Sequence, residues 1–242
     1  MGLIDLQQRA EAEARAAAAV AHIKNGSWAD AQRNRQALLD FLTGASGVGT
    51  LLDTRRAAGY DHTNRVRRFL NQAHVKEALG VPKDKEWIQK SEAVKSALIE
   101  DVMRSVAPLF PDLLAAMPVL LYQGATDAQD GPATNEPWIR ALQWHGQRGF
   151  NRAERRLWRM PSALAPLGGS AGEPVPAPHT AENSSADKPA SAKGSEENTA
   201  VVGYWRQHDR LTHVVVRNAG HMSPGDQPWV AKEMIEARGH FR

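Results

Sequence analysis

Two residues in this chain stand where a proton could be moved. His221 lies in THVVVRNAGHMSPGDQPW, residues 212–229. Thr212 to Arg217 is apolar and rich in β-branched residues, which predicts a buried strand. Asn218, Ala219 and Gly220 predict a sharp turn with His221 at its tip, ahead of a helical pattern through Val230, Met234 and Ile235. The second residue is Asp127. It follows another short apolar run, Pro118–Tyr122 (PVLLY), in a loop that contains Gly124. A carboxylate beside an imidazole fixes its tautomer and readies it to accept a proton from a hydroxyl. Taken alone, a histidine in such a loop reads equally well as a cap on the next helix.

Two strands, each handing one titratable residue to the loop after it, describe the carboxyl edge of an open α/β sheet. The order along the chain, Asp and then His, fits the α/β-hydrolase arrangement of nucleophile, acid and histidine. The fold class expected is therefore α/β. A helix carrying Trp138, Ile139 and Leu142 should follow the Asp127 loop. Glu154–Met160 and Val201–Arg206 predict two further strands, with Trp158 and Trp205 suited to packing on the sheet.

These stretches resemble the serine carboxypeptidases and their plant serine carboxypeptidase-like relatives. VLLYQGATD, EPWIRALQWHG and VVVRNAGHMSPGDQPW carry the resemblance. GLID (Gly2–Asp5), FLNQAHVKEALGV (Phe69–Val81) and DVMRSVAPLF (Asp101–Phe110) extend it over nearly the whole chain except one insert. The resemblance implies the C-terminal part of an α/β-hydrolase core, with Asp127 and His221 catalytic and Met222 near the substrate. It implies a peptide or acyl substrate, no cofactor and no metal, and a vacuolar or extracellular protein of the secretory pathway. The insert, Pro161–Thr199, is the largest departure from the family pattern, and two smaller ones accompany it. Ser223 replaces the usual aliphatic residue, and the chain has no cysteine where relatives often carry disulfides.

Composition sets wider bounds. Among 242 residues, Lys and Arg exceed Asp and Glu by only three, 30 against 27. The basic residues are spread through helical patterns, as at Arg65, Arg67 and Arg68, and make no nucleic-acid footprint. No apolar run approaches the ~18 residues of a membrane span. Met1 opens directly into an amphipathic helix, so no signal peptide is read here.

The elements that must position the pair divide the chain into expected regions. Residues 1–86 are a helical cap or insertion, 87–160 with 200–242 the hydrolase core, and 161–199 a disordered low-complexity insert. Leu3, Leu6, Ala10, Ala14, Ala17 and Val20 mark a first helix ended by Asn25 and Gly26. Ser27 with Asp30 predicts a capping box for a second helix, whose inner face is Trp28, Ala31, Leu38, Leu39 and Leu42. Gly44–Gly49 reads as a flexible link, and Asn71 as the cap of a short helix stopping at Gly80. Val94, Leu98, Val102 and Val106 give an apolar helical stripe over about Ser91–Val106, broken by Pro108 and Pro111. Pro161–Thr199 has almost no large apolar residue to offset its ordering entropy.

No serine fits the nucleophile position. Ser170 in GGSAG matches G-x-S-x-G formally, but its flanks are low-complexity and it lies between Asp127 and His221 rather than before them. Ser46 in GASGVG lacks the closing glycine. In the family the serine, the oxyanion donors and the grip on the substrate's terminal carboxylate come from the N-terminal half. The resemblance thus implies a truncated hydrolase, inactive alone, that needs a partner chain carrying that half. Acyl transfer by the same triad and a non-catalytic interaction protein are the other readings. Asp130 reads as a turn residue and Asp226 as a helix cap; His208 and His213 flank the last strand without metal-site spacing.

Overall fold

The computed structural model describes residues 2–60, 63–162 and 199–236. The chain forms two compact units. One comprises Met1–Thr50 and Ala57–Ser105, the other Leu51–Arg56 and Val106–Arg242. The division falls after Ser105 rather than after residue 86, and a six-residue segment from the helical region belongs with the sheet. The expected insert lies outside the described residues between 163 and 198, as does Ser170.

In the first unit, α1 (Leu6–Lys24) and α2 (Trp28–Ser46) pack on each other. Asp5 and Gln8 form the capping box of α1, each side chain accepting from the other's backbone N–H at 2.7 and 2.9 Å. The stripe read from sequence is the outer one: Leu6 and Val20 are exposed, whereas Ala19 is buried. In a helix this rich in alanine the periodicity is shallow, so the partner helix selects the inward face. In α2 the inner face is as expected, with Ala31 fully buried. Ser27 makes no side-chain cap there, and Asp30 pairs with Arg33 at 2.6 Å.

The remaining helices are short. The helix α2 runs through Gly44 to Ser46 and ends at Gly47, whose φ of 68° needs no side chain, so the link expected from Gly44 starts late. Next come α3 (Thr63–Leu70), α4 (Ala73–Ala78) and α5 (Glu92–Ala97). Asn71 does not cap α4. Its amide holds both backbone groups of Trp87, at 2.8 and 3.0 Å. The stripe predicted to be helical to Val106 is helical only to Ala97, and Val94, Leu98 and Val102 are exposed. A short amphipathic segment depends on a surface that buries its stripe.

The second unit is a four-stranded mixed sheet in the order β1-β4-β3-β2. Its strands are β1 (Val119–Gly124), β2 (Arg156–Pro161), β3 (Thr199–His208) and β4 (Leu211–Val216). β1 and β4 are parallel, with Val119 opposite Leu211 and Gly124 opposite Val216; β4, β3 and β2 are antiparallel neighbours. Helices cover both faces. On one, α10 (Pro228–Glu236) sets Val230 and Met234 against Val214, Val216, Trp158 and Met160. On the other, α6 (Phe110–Ala116), α7 (Pro132–Ala141) and α8 (Gln147–Arg152) bury Leu114, Ile139 and Phe150 with Leu211. Pro111 sits in the first turn of α6, where its missing N–H costs nothing, and so starts that helix rather than breaking one. β4 is covered on both sides. β1 is an edge strand among the described residues, with Leu120 and Tyr122 exposed.

Candidate active site

The parallel pairing of β1 with β4 brings their carboxyl ends side by side, and from there two loops run out together. Ala125 N–H donates to the Val216 carbonyl at 2.8 Å, and Thr126 N–H to that of Ala219 at 3.0 Å. Such close approach of two backbones requires glycine at position 124. A Cβ there would overlap the carbonyl groups of Ala219 and Gly220. Asn218 makes the turn of the second loop with φ 52°, a left-handed conformation its short polar side chain tolerates.

At the ends of these loops Asp127 Oδ2 lies 2.9 Å from His221 Nδ1. The carboxylate is nearly fully buried and the imidazole is half-exposed. Asp127 Oδ1 accepts the backbone N–H groups of Gln129 and Asp130, at 2.9 and 2.8 Å. Those two amides fix the carboxylate and aim its second oxygen at the histidine. A carboxylate only accepts, so Nδ1 carries the proton and Nε2 presents its lone pair. The pair can therefore take a proton from a hydroxyl brought to Nε2 and pass it to a leaving group.

Neighbouring residues hold the turn. The backbone N–H of His221 donates to the Leu52 carbonyl at 2.7 Å. Ser223, the departure noted in the sequence, is buried at the start of α9 (Ser223–Asp226), and its hydroxyl donates to the Gly220 carbonyl at 2.8 Å. Met222, beside the histidine, is 46% exposed and open to a ligand. Asp226 was expected to cap the following helix. Instead its carboxylate accepts Gly220 N–H at 2.8 Å and ion-pairs with Arg56 at 2.9 Å.

Asp130 is no simple turn residue. Its carboxylate lies 3.9 Å from His221 Nδ1 and accepts from the Gln129 amide. Ligand atoms of Asp127, Asp130 and His221 all fall within 4.8 Å of one another, a spacing a cation could use. The Asp127–His221 hydrogen bond and the amides on Asp127 already account for how these groups are held. Ser46 is inside α2 with its hydroxyl back-bonded to the Leu42 carbonyl at 2.6 Å. His213 is buried within β4, paired with Gln123 at 2.5 Å and pushed down to about 4 by burial, away from the 127–221 pair. Sequence reasoning missed Asp53, Arg55 and Arg56. DTRR reads as a solvated charge run, no denser than KDKE at residues 83–86, and carries no local signal of its role.

Known proteins give the family and the fold. The family described as serine carboxypeptidase matches residues 49–238. Serine carboxypeptidase-like 50 of Arabidopsis thaliana is 32% identical over 235 residues, covering 97% of this chain and 45% of its own length. A venom serine carboxypeptidase of Apis mellifera is 29% identical over 172 residues, covering 71% of this chain and 29% of its own. The crystal structure of a prohormone-processing carboxypeptidase of Saccharomyces cerevisiae superposes with a TM-score of 0.59 at 19% identity. That match covers 87% of this chain and 41% of the yeast one. The chain thus spans about half the length, or less, of these relatives, and its sheet has the α/β-hydrolase fold.

Proposed function

The chain belongs to the serine carboxypeptidase family, and from that premise we propose that Asp127 and His221 are the acid and base of a Ser-His-Asp carboxypeptidase. The observation that carries this is the 2.9 Å contact between His221 Nδ1 and a buried carboxylate at the ends of two parallel strands. Asp127 orients the imidazole and stabilises it once protonated. His221 Nε2 takes the proton of a serine hydroxyl as it attacks the scissile carbonyl, then gives it to the departing amine. Met222 borders the substrate.

The serine belongs to the part of the family's chain that lies outside these 242 residues, as do the oxyanion donors. The edge of β1 supports this reading. It bears no strand on its outer side among the described residues, and Leu113, Met117, Leu120 and Tyr122 around it are exposed. An open groove of about 670 Å³ runs past Met117–Leu120 to Met234 and Ile235. A polypeptide carrying the N-terminal half of the fold would add its strands along the open edge of β1. Among the described residues no helix is long and apolar enough to cross a membrane. The venom relative's name accords with a secretory location.

Acyl transfer onto an alcohol uses the same acid and base, and only the second nucleophile differs. The test is to incubate the purified chain, alone and co-expressed with the N-terminal half of a relative, with a blocked dipeptide and a serine-directed fluorophosphonate. The expected result is no turnover and no labelling alone, with both appearing in the complemented protein and turnover lost in His221→Ala. Turnover that survives His221→Ala would overturn the assignment. Labelling of the isolated chain would show that it holds its own nucleophile, and neither activity in any state would favour a non-catalytic scaffold.

A further inference from the structure

The segment Leu51–Arg56 has no regular secondary structure, yet it belongs to the sheet unit and runs along both site loops. Its groups address the two loops in turn. Leu51 O accepts Ala128 and Gln129 N–H, at 2.8 and 3.2 Å, and Thr54 N–H donates to Thr126 O at 3.0 Å; these bind the Asp127 loop. Leu52 O accepts His221 N–H, and Arg55 Nη1 donates to Asn218 O at 2.7 Å; these bind the His221 loop.

Between them sits Asp53, fully buried. Its Oδ1 accepts the Thr126 hydroxyl at 2.8 Å and Arg55 Nε at 2.9 Å; its Oδ2 accepts Arg55 Nη2 at 2.7 Å and faces Arg56 Nε at 3.3 Å. Thr126 is the residue before Asp127. Arg56 in turn pairs with Asp226, whose other oxygen accepts the N–H of Gly220, the residue before His221. Hydrogen bonds and ion pairs therefore run Thr126–Asp53–Arg56–Asp226–Gly220, the Asp53–Arg56 step being an ion pair at 3.3 Å, and they join the immediate neighbours of the two active residues. Burial alone would push the Asp53 carboxyl up, but the Arg55 guanidinium and the Thr126 hydroxyl hold it below the usual carboxylate range.

A buried carboxylate with two arginines is a costly way to hold a surface loop, since apolar residues of similar volume would stabilise as well or better. What it supplies is fixed geometry, because Arg55 grips both Asp53 oxygens and Arg56 is held between two carboxylates. We infer that Asp53, bridged through Arg56 to Asp226, is a positioning residue that sets the separation of Asp127 and His221. This rests on the reading of that pair as acid and base. Neither Asp53 nor Arg56 touches the imidazole side chain. They act through Thr126 and Gly220.

The test uses the full chain labelled with 15N-histidine, with the His221 Nδ1–H resonance and its ring nitrogen shifts read by NMR. Asp127→Asn is the reference for loss of the pair. Asp53→Asn and Arg56→Met are expected to move the Nδ1–H resonance toward that reference and to populate the other tautomer. Arg56→Lys, which keeps the charge, should restore most of the wild-type signature. Thr126→Val, which removes a hydroxyl within bonding distance of both Asp53 Oδ1 and the Ala219 carbonyl, covers the case in which Asp53→Asn fails to fold, and should produce the same shift in a folded protein. Wild-type resonances in folded Arg56→Met and Thr126→Val, alongside a shifted Asp127→Asn, would overturn the positioning role and leave the pair intact. An unshifted Asp127→Asn would instead remove the acid–base reading itself.

Discussion

The backbone N–H of His221 rests on the Leu52 carbonyl at 2.7 Å, while its ring rests on Asp127 at 2.9 Å. Main chain and side chain of one histidine are thus fixed by two segments far apart in sequence. Consequences of that arrangement are open to measurement.

Asp127 serves its own loop as well as the histidine. Replacing it with alanine takes the Asp127 acceptor from Asp130 N–H and leaves Gln129 N–H with the Leu51 carbonyl at 3.2 Å. The expected loss of stability is about 1–3 kcal/mol in urea unfolding. Asp127→Asn keeps one acceptor oxygen and should cost less. Equal stability of the alanine variant and the wild type would show that the loop does not depend on this carboxylate.

Gly124 has no room for a side chain, because a Cβ would meet the backbone of Ala219 and Gly220. Gly124→Ala must therefore push the His221 loop away from β1, and is expected to destabilise by about 1–3 kcal/mol. It should also disrupt the Asp127–His221 contact. A crystal structure of the variant with that contact still at hydrogen-bond distance would contradict this.

His213 should give the protein an acid-sensitive stability. Its imidazole is held down at about 4, first by burial and then by Arg206, Arg155 and Arg140, with Glu136 opposing. The folded value is below the unfolded one, near 6.5. Its neutral form is therefore retained without penalty above pH ~6.5, and stability falls as pH drops from there toward ~4 by about 1.4 kcal/mol per unit. Urea midpoints at pH 7.5 and 5 should differ for the wild type. His213→Gln should flatten its share of that difference.

The segment 161–199 should be dispensable to the sheet. Pro161 pairs with Thr199 and Met160 with Ala200, so the two ends already stand opposite each other. Replacing residues 163–198 by a short turn should leave the melting temperature nearly unchanged, because the composition removed has little apolar surface to bury. A marked drop by calorimetry would show that the segment packs on the core.

The exposed edge of β1 should make the isolated chain self-associate. Tyr122→Lys on that strand is expected to reduce light scattering, since a charge on an edge discourages strand addition. Unchanged scattering would place the sticky surface elsewhere.

The local pattern was enough to locate the strands β1 and β4 and the turn at Asn218–Gly220, and to put Asp127 and His221 in the loops that follow those strands. Short β-branched runs followed by small residues have few other ways to fold. Sequence also marked Trp158 as a residue that packs on the sheet, because a large apolar side chain in a strand must be buried somewhere. It misplaced the inward face of α1 and the length of the Ser91–Val106 helix. Both depend on which surface lies opposite, and an alanine helix or an unpartnered stripe carries no such information. Asp53, Arg55 and Arg56 were illegible for a related reason. A charged tetrapeptide looks solvated until the tertiary structure buries it between two loops, where each charge finds a partner from another part of the chain. Periodicity and turn chemistry are local and are written in neighbouring residues. The bridge from Thr126 through Asp53 to Asp226 exists only once β1 and β4 lie side by side.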